Sequence, residues 1–186
     1  MRCLAVPALA LFLAAGSRSA HADESPPQSA ITTNPVRFAI LHFQLEYERA
    51  VATKWSVFAA PIAFYHAEWY PFAHEHGVTA WGGGIDVGAR WYLLGSALDG
   101  AYVGPLFSLY HGEVSHHGAE MLSGYVFSPG AQAGYSYVLN RWVLAAGVGM
   151  SYGFASEEAP EGSPRAEQLP HWGPWINFRL NAGITF

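Results

Sequence analysis

Hydrophobic and polar residues alternate with a period of two along most of the chain after residue 30. Successive side chains of a strand point to opposite faces, so each face can be considered separately. From Trp81 to Leu93, one face is large and apolar, while the other contains only glycine, Asp86, Arg90 and Tyr92. The same alternation predicts strands at about 41–50, 54–67, 80–94, 101–112, 122–138, 141–155 and 173–186.

Aromatic residues lie at both ends of the apolar faces. They form pairs ten residues apart: Trp81 with Trp91, Tyr125 with Tyr135, and Trp142 with Tyr152. At about 3.3 Å per residue and a tilt near 40°, ten residues rise roughly 25 Å, which is the height between the two aromatic girdles of a membrane barrel. The opposite face, rich in glycine and serine, suits the lumen of a narrow barrel better than the dry core of a sandwich.

The connections between the predicted strands are alternately short and long. The short ones fall at 51–53, 95–100 and 139–140, and the long ones at about 68–79, 113–121 and 156–172. Outer-membrane barrels have short periplasmic turns and longer outer loops, so Phe186 is expected in the periplasm. An even strand count requires a first strand at Ala30–Phe38 with a tight turn near 39–40, although Pro35 is awkward there. We therefore predict an all-β fold, an eight-stranded antiparallel transmembrane β-barrel with up-and-down topology over residues 30–186.

The first 22 residues have the features of a secretory signal peptide. Arg2 gives a positive start, 4–15 is apolar, and Ala20-His21-Ala22 is a cleavage site of the small-x-small type. Cleavage after Ala22 leaves a short flexible lead at 23–29 and removes Cys3, the only cysteine. We therefore expect an exported chain without disulfides or cysteine-based sites.

The composition of the chain argues against three other classes: helical membrane proteins, soluble barrels and nucleic-acid-binding proteins. The chain is 51% hydrophobic and only 12% charged, yet past the N-terminus it has no apolar run of the roughly 18 residues that a membrane helix needs. A soluble lipocalin-like barrel would need a charged outer face, which this composition cannot supply. The net charge of −5, with no basic stripe, argues against a nucleic-acid partner.

The C-terminal strand resembles the signal by which outer-membrane proteins reach the barrel-insertion machinery. A terminal aromatic follows apolar residues at alternate positions, although Asn181 stands where glycine is common; the matching residues are Phe178, Leu180, Ala182, Ile184 and Phe186. With the signal peptide and eight strands, the chain resembles the small barrels typified by the transmembrane domain of outer membrane protein A and by OmpX. The string NPVRFAILHFQLEYERAVATKWSVF is similar to the N-terminal segment of an uncharacterised family of small Gram-negative outer-membrane barrels. These resemblances imply fold and location but no activity.

Charged residues are predicted to face the lumen from three strands: Glu46, Glu48, Asp86, Arg90 and Arg179. Gln44 and His42 share the face of the two glutamates. Charges in such a lumen must be paired or hydrated, which predicts an ion-pair network. Barrels of the outer membrane protein A type hold such networks. A functional alternative is a narrow gate, in which Arg90 or Arg179 exchanges carboxylate partners and opens a thin water path.

Histidines and acids concentrate in the predicted outer loops. His74, His76, His116 and His117 are candidate ligands for Zn²⁺, Cu²⁺ or Ni²⁺ if the loops bring them together, whereas solvated polar loops are the simpler interpretation. Ser115 beside His116 and His117, with Glu113 or Glu120, has the residue types of a lipid-modifying triad. The His-x-Ser string of barrel lipid A deacylases is absent.

These observations favour a structural or surface-interaction protein of the bacterial outer membrane over a narrow, porin-like gated channel, with a lipid-modifying enzyme as a third alternative. We expect a monomer without a cofactor and without catalytic activity. Its expected partners are outer-membrane lipid, lipopolysaccharide and the barrel-insertion machinery.

Overall fold

A computed structural model describes residues 27–39, 41–66, 78–116, 119–158 and 173–186. The predicted signal peptide and the candidate metal ligands His74, His76 and His117 lie outside these ranges. Among the described residues, no helix is long and apolar enough to cross a membrane.

The described residues form one closed antiparallel barrel. Each strand pairs with its neighbours in the chain, and β1 pairs with β9 to close the sheet. β7 and β8 pair with β6 in one continuous register on either side of Gly153, so they form a single interrupted strand. The prediction of an all-β, eight-stranded antiparallel barrel is therefore confirmed. The elements are β1 Ser29–Thr33, α1 Pro35–Phe38, β2 His42–Ala52, β3 Trp55–His66, β4 Val78–Tyr92, β5 Gly100–His116, β6 Ala119–Leu139, β7 Trp142–Tyr152, β8 Phe154–Glu158 and β9 Pro174–Thr185.

The two ends of the barrel differ in their connections. At one end, here called the turn end, the connections are short: 53–54, 93–99 and 140–141. Asn140 adopts φ 56°, a conformation that asparagine tolerates better than most residues. The C-terminus lies at the same end, where Phe186 exchanges backbone hydrogen bonds with Ser29. The opposite end, here called the loop end, carries α1 and the strand ends at His66, Val78, His116, Ala119, Glu158 and Pro174.

The outer surface of the barrel is apolar and the inner surface is largely polar. Large side chains project outward at alternate positions, with Phe178 77% and Trp142 66% exposed. The alternate positions of the same strands, such as Arg179 and Val143, are buried. The predicted assignment of the two faces is therefore confirmed.

The predicted first strand at 30–38 is wrong in its second half. β1 ends at Thr33, because Asn34 caps a short helix: its Oδ1 accepts hydrogen bonds from the backbone N–H groups of Val36 and Arg37. Pro35 at the first helical position has no N–H to lose and a φ suited to the helix. The proline that was awkward in a strand thus begins a helix.

The predicted long loop at 113–121 is also wrong. β5 continues to His116 and β6 begins at Ala119, with Val114 paired to Leu122 and a register shift next to it. The polar residues here continue the hairpin, because the backbone groups of two adjacent strands can pair whether the side chains are polar or apolar. Val114, which lies next to the register shift, marks where the ladder becomes irregular.

Candidate functional site

Five charged side chains meet in the middle of the lumen. β2 contributes Glu46 and Glu48, which share a face because they are two residues apart; β4 contributes Asp86 and Arg90, and β9 contributes Arg179. All five are buried, and Arg90 is only 1% exposed. The structure therefore brings together every residue that the sequence proposed for a lumen ion-pair network.

Arg90 binds both glutamates of β2. Its Nη2 lies 2.8 Å from Glu46 Oε1, and its Nη1 contacts Glu48 Oε2. The planar guanidinium can hold two carboxylates at once, because its N–H donors point outward in a fixed fork. Arg90 thus ties β4 to two successive inward positions of β2.

Arg179 extends the network across the barrel. Its Nη1 lies 2.9 Å from Glu46 Oε2, and its Nη2 lies 2.9 Å from Asp86 Oδ2. Each oxygen of Glu46 therefore binds a different arginine. Glu46 is the centre of the network, since its carboxylate joins the guanidiniums of β4 and β9.

Neutral donors complete the network. Three carboxylates face two guanidiniums, which leaves one excess negative charge. The hydroxyl groups of Tyr92 and Ser56 donate hydrogen bonds to Glu48 Oε1. Tyr110 donates to Asp86 Oδ1, and Gln44 Nε2 donates to Asp86 Oδ2 at 3.4 Å. These donors satisfy the two carboxylate oxygens that bind no guanidinium, Glu48 Oε1 and Asp86 Oδ1.

Aromatic rings enclose the two guanidiniums. The Arg90 guanidinium carbon lies 4.5 Å from the ring centroid of Phe58 and 4.8 Å from that of Tyr102. The Arg179 guanidinium carbon lies 5.1 Å from the centroid of the same Phe58 ring. Tyr102 fits here because β6 has no side chain opposite it: a Cβ on Gly134 would lie 2.6 Å from Tyr102 Oη. Cation–π contacts of this kind are worth most where, as here, the cation is desolvated.

A strip of unpaired polar side chains lies beside the network. Within the described residues, β6, β7 and β9 present buried oxygens or nitrogens without a protein partner, on Ser128, Gln132, Ser151, Asn177 and Asn181. Buried polar groups are nearly always hydrogen-bonded, to water where protein offers nothing. We therefore expect this wall of the lumen to be hydrated.

The connection 93–99 seals the turn end of the lumen. Leu98 is 1% exposed and packs against Ala30, Val138 and Val143, which belong to three other strands. Ser136 Oγ donates to the carbonyl of Leu98 at 2.7 Å, and Asp99 Oδ1 accepts from the backbone of Val138 at 3.0 Å. Leu98 itself has φ 72°, a left-handed conformation that costs a leucine roughly 1–2 kcal/mol. The connection is thus held across the lumen as an apolar plug.

The loop end of the lumen contains a cavity of about 320 Å³. Tyr110, which binds Asp86, lies between this cavity and the ion-pair network. Most of the exposed wall area is apolar, although six of the eleven lining residues carry polar groups. The lining residues are Arg37, His42, Ile62, Phe64, Ser108, Tyr110, Val126, Ser151, Trp175, Ile176 and Asn177.

Residues 8–167 match a family described as "Protein of unknown function (DUF3575)". The matched region covers most of the chain and ends before β9. This chain belongs to the DUF3575 family. No curated protein matches it. The match includes 34–58, the segment on which the resemblance to an uncharacterised family was based, whereas likeness to OmpX or outer membrane protein A stays a prediction.

The predicted girdle residues of the DUF3575 barrel lie on its outer surface. Trp81, Trp91, Tyr125, Trp142 and Tyr152 are exposed, and Tyr135 is half-buried. The predicted insertion-signal residues are also on the outer face of β9 and at its end, with Ala182 half-buried and the others exposed. Their recognition by insertion machinery stays a prediction.

The described part of the DUF3575 barrel gives little support to the candidate metal and catalytic sites. His116 ends β5, but its side chain lies outside the described set, as do those of Glu120 and the other candidate histidines. Ser115 Oγ lies 2.7 Å from Thr79 Oγ1 on β4. No group of three or more metal-ligating side chains occurs among the residues that the structure describes. Metal binding and lipid modification stay predictions.

Sequence reasoning missed three parts of the site: the Leu98 plug, the hydroxyl donors Tyr92 and Tyr110, and the aromatic enclosure around Phe58. The tyrosines could have been found. Tyr92 shares the inward face of β4 with Asp86 and Arg90, and Tyr110 lies on β5, the strand that pairs with β4. Nothing in the polar string from Gly95 to Gly100 signals that its one leucine is buried.

Proposed function

We propose that this DUF3575 protein is a membrane-spanning barrel of a Gram-negative outer membrane, with a structural or surface-interaction role. The observation that carries the proposal is the outer surface, where large apolar side chains are exposed on every long strand. Contiguous exposed apolar surface on this scale is rare in soluble monomers. A closed barrel also meets the requirement of a bilayer that every backbone group find a partner.

Aromatic residues at two levels support a bilayer as the surrounding medium. Trp55 stacks on Trp91 with ring centroids 6.1 Å apart near the turn end, and Tyr65 pairs in register with Trp81 near the loop end. Tyrosine and tryptophan concentrate at the two interfaces of a bilayer, where one part of the ring is apolar and the other hydrated. In the proposed orientation, the turn end faces the periplasm and the loop end the cell surface.

A sealed lumen favours a structural or surface role over transport. The ion-pair network lies in the middle of the lumen and the buried Leu98 packs across one end, which supports a closed lumen. The proposed partners are therefore those of the barrel wall and the loops: lipid, lipopolysaccharide, the insertion machinery and ligands at the surface. We propose that the barrel acts as a monomer.

A narrow gated channel is the second candidate, and the polar strip beside the network is the observation that favours it. Hydration of Gln132, Ser128 and their neighbours would give water a path past Glu46. Opening would still require the plug at 93–99 to move, and the carboxylates to release one arginine.

Conductance in a planar bilayer separates the two candidates. The protein is first folded in detergent, and folding is checked by migration in a gel that shifts on boiling, as expected for a closed barrel. For a sealed barrel we expect repeated insertions without discrete current steps. Steady steps would support the channel, and the variant Glu46→Gln, which loses one arginine ligand, should then change the open probability. A chain that remains soluble in water without detergent would contradict the membrane proposal itself.

A further inference from the structure

The barrel wall has a gap in its loop-end half. β1 is short, and its last residue, Thr33, pairs with Leu45 of β2 and Ala182 of β9. Beyond that point β2 continues to His42 and β9 to Pro174 with no strand between them. Unpaired strand edges are costly in a low-dielectric medium. Such a gap must therefore be covered by another part of the chain or filled by another molecule.

Helix α1 occupies this gap and contacts both flanking strands. Val36, 58% exposed, and Phe38 project outward, and the Phe38 ring packs edge-on against Phe43 at 5.3 Å. Arg37 is half-buried and lines the cavity on the inner side. A basic side chain is thus placed at the level of the wall, between an apolar outer surface and an interior cavity.

The cavity behind α1 is lined by both apolar and polar residues, and most of its exposed wall area is apolar. Ile62 and Phe64 of β3 and Val126 of β6 line it. The part of the lumen nearer the turn end, which holds the ion-pair network, is polar by comparison. No carboxylate among the described residues pairs with Arg37. Ser151 is 3% exposed, lines the cavity, and its Oγ has no protein partner in the described structure. An occupant therefore needs an apolar body and an anionic, hydrogen-bonding head.

We infer that the cavity binds one single-chain anionic amphiphile, such as a fatty-acid carboxylate, which enters from the surrounding membrane past helix α1, between β2 and β9. Arg37 binds the carboxylate, and the chain lies between Ile62, Phe64 and Val126. A volume of about 320 Å³ is at the lower end for small-molecule sites, which favours one chain over the two of a phospholipid. The route of entry rests on the proposed location in a membrane.

Native mass spectrometry of the folded protein, released from an uncharged detergent, tests the inference with dodecanoate and dodecanol as probes. We expect dodecanoate to saturate at one molecule per barrel. Arg37→Gln should weaken dodecanoate binding about tenfold, since a hydrogen bond to a charged group is lost, and leave dodecanol binding unchanged. Val126→Trp should abolish both by filling the cavity, while Leu144→Trp, which places the same side chain on the outer surface of β7, should abolish neither.

Several results would overturn the inference. Dodecanoate adducts that increase without saturation, or that are unchanged in both Val126→Trp and Arg37→Gln, would mean that the cavity binds no amphiphile. If the barrel inserts into vesicles and dodecanoate does not bind, the inference fails and the proposed location stands. If the chain does not insert into vesicles, the proposed location fails whatever dodecanoate does.

Discussion

Replacing Arg90 with alanine should lower the free energy of unfolding of the barrel by about 3–5 kcal/mol. The arginine binds Glu46 and Glu48 and lies over two aromatic rings, and all of these groups are buried. Its removal leaves Glu48 without a cationic partner and Glu46 with Arg179 alone, and both carboxylates stay buried. Breaking a buried pair costs more than the pair contributes, because the remaining charge stays desolvated.

Urea unfolding of the protein in lipid vesicles, followed by tryptophan fluorescence, measures this change. Arg141→Ala is the matched control, because Arg141 is exposed in the turn after β6 and its loss should shift the free energy by less than about 0.5 kcal/mol. Arg90→Lys keeps the charge but not the fork, so its loss should fall between those of the two variants. Equal stabilities for Arg90→Ala and Arg141→Ala would contradict a structural role for the network.

Placing an arginine on the middle of the outer surface should destabilise the barrel in a bilayer by about 2–4 kcal/mol. Val148 is suited to this test, because it is exposed and lies on β7 between Trp142 and Tyr152. In a soluble barrel, an exposed valine replaced by arginine would cost almost nothing. The penalty expected for Val148→Arg thus depends on the surrounding lipid and not on contacts within the fold.

Leu93→Arg is the control for that variant. Leu93 is also exposed, but it follows Trp91 at the turn end, outside the proposed apolar band. Its charge should cost only about 0–1 kcal/mol in the same vesicle titration, since the penalty falls towards the interface. A penalty for Val148→Arg no larger than that for Leu93→Arg would argue against a bilayer at this level.

The alternating pattern was sufficient to predict the faces of the strands and the residues of the network. The pairs that form within the network could not be predicted, because they depend on the closure of the sheet. Arg179, for example, binds Glu46 although the two are 133 positions apart in the sequence. The short helix does have a sequence signal, since Asn34 followed by Pro35 is typical of a helix start, but the alternating pattern favoured a strand over the same residues. Burial of Leu98 depends on a positive φ in the connection 93–99, which residue types alone do not specify.

The gap beside α1 follows from the same helix. A strand continuing to Phe38 would have filled the space between β2 and β9 that α1 occupies. The sequence therefore predicted the barrel and its charged centre, but the place where α1 replaces a strand in the wall depends on where β1 stops.

Spin labelling along β7 tests the central claim, a barrel surrounded by lipid, most directly. Cys3 is the only cysteine and lies in the predicted signal peptide, so single cysteines can carry nitroxides at 144, 148 and 150, with Asn140 in the turn as the aqueous reference. In vesicles, we predict that labels at the three outward positions collide readily with oxygen and rarely with a water-soluble nickel chelate, most strongly at 148. Collision with the nickel chelate at these positions as frequent as at 140 would contradict the account.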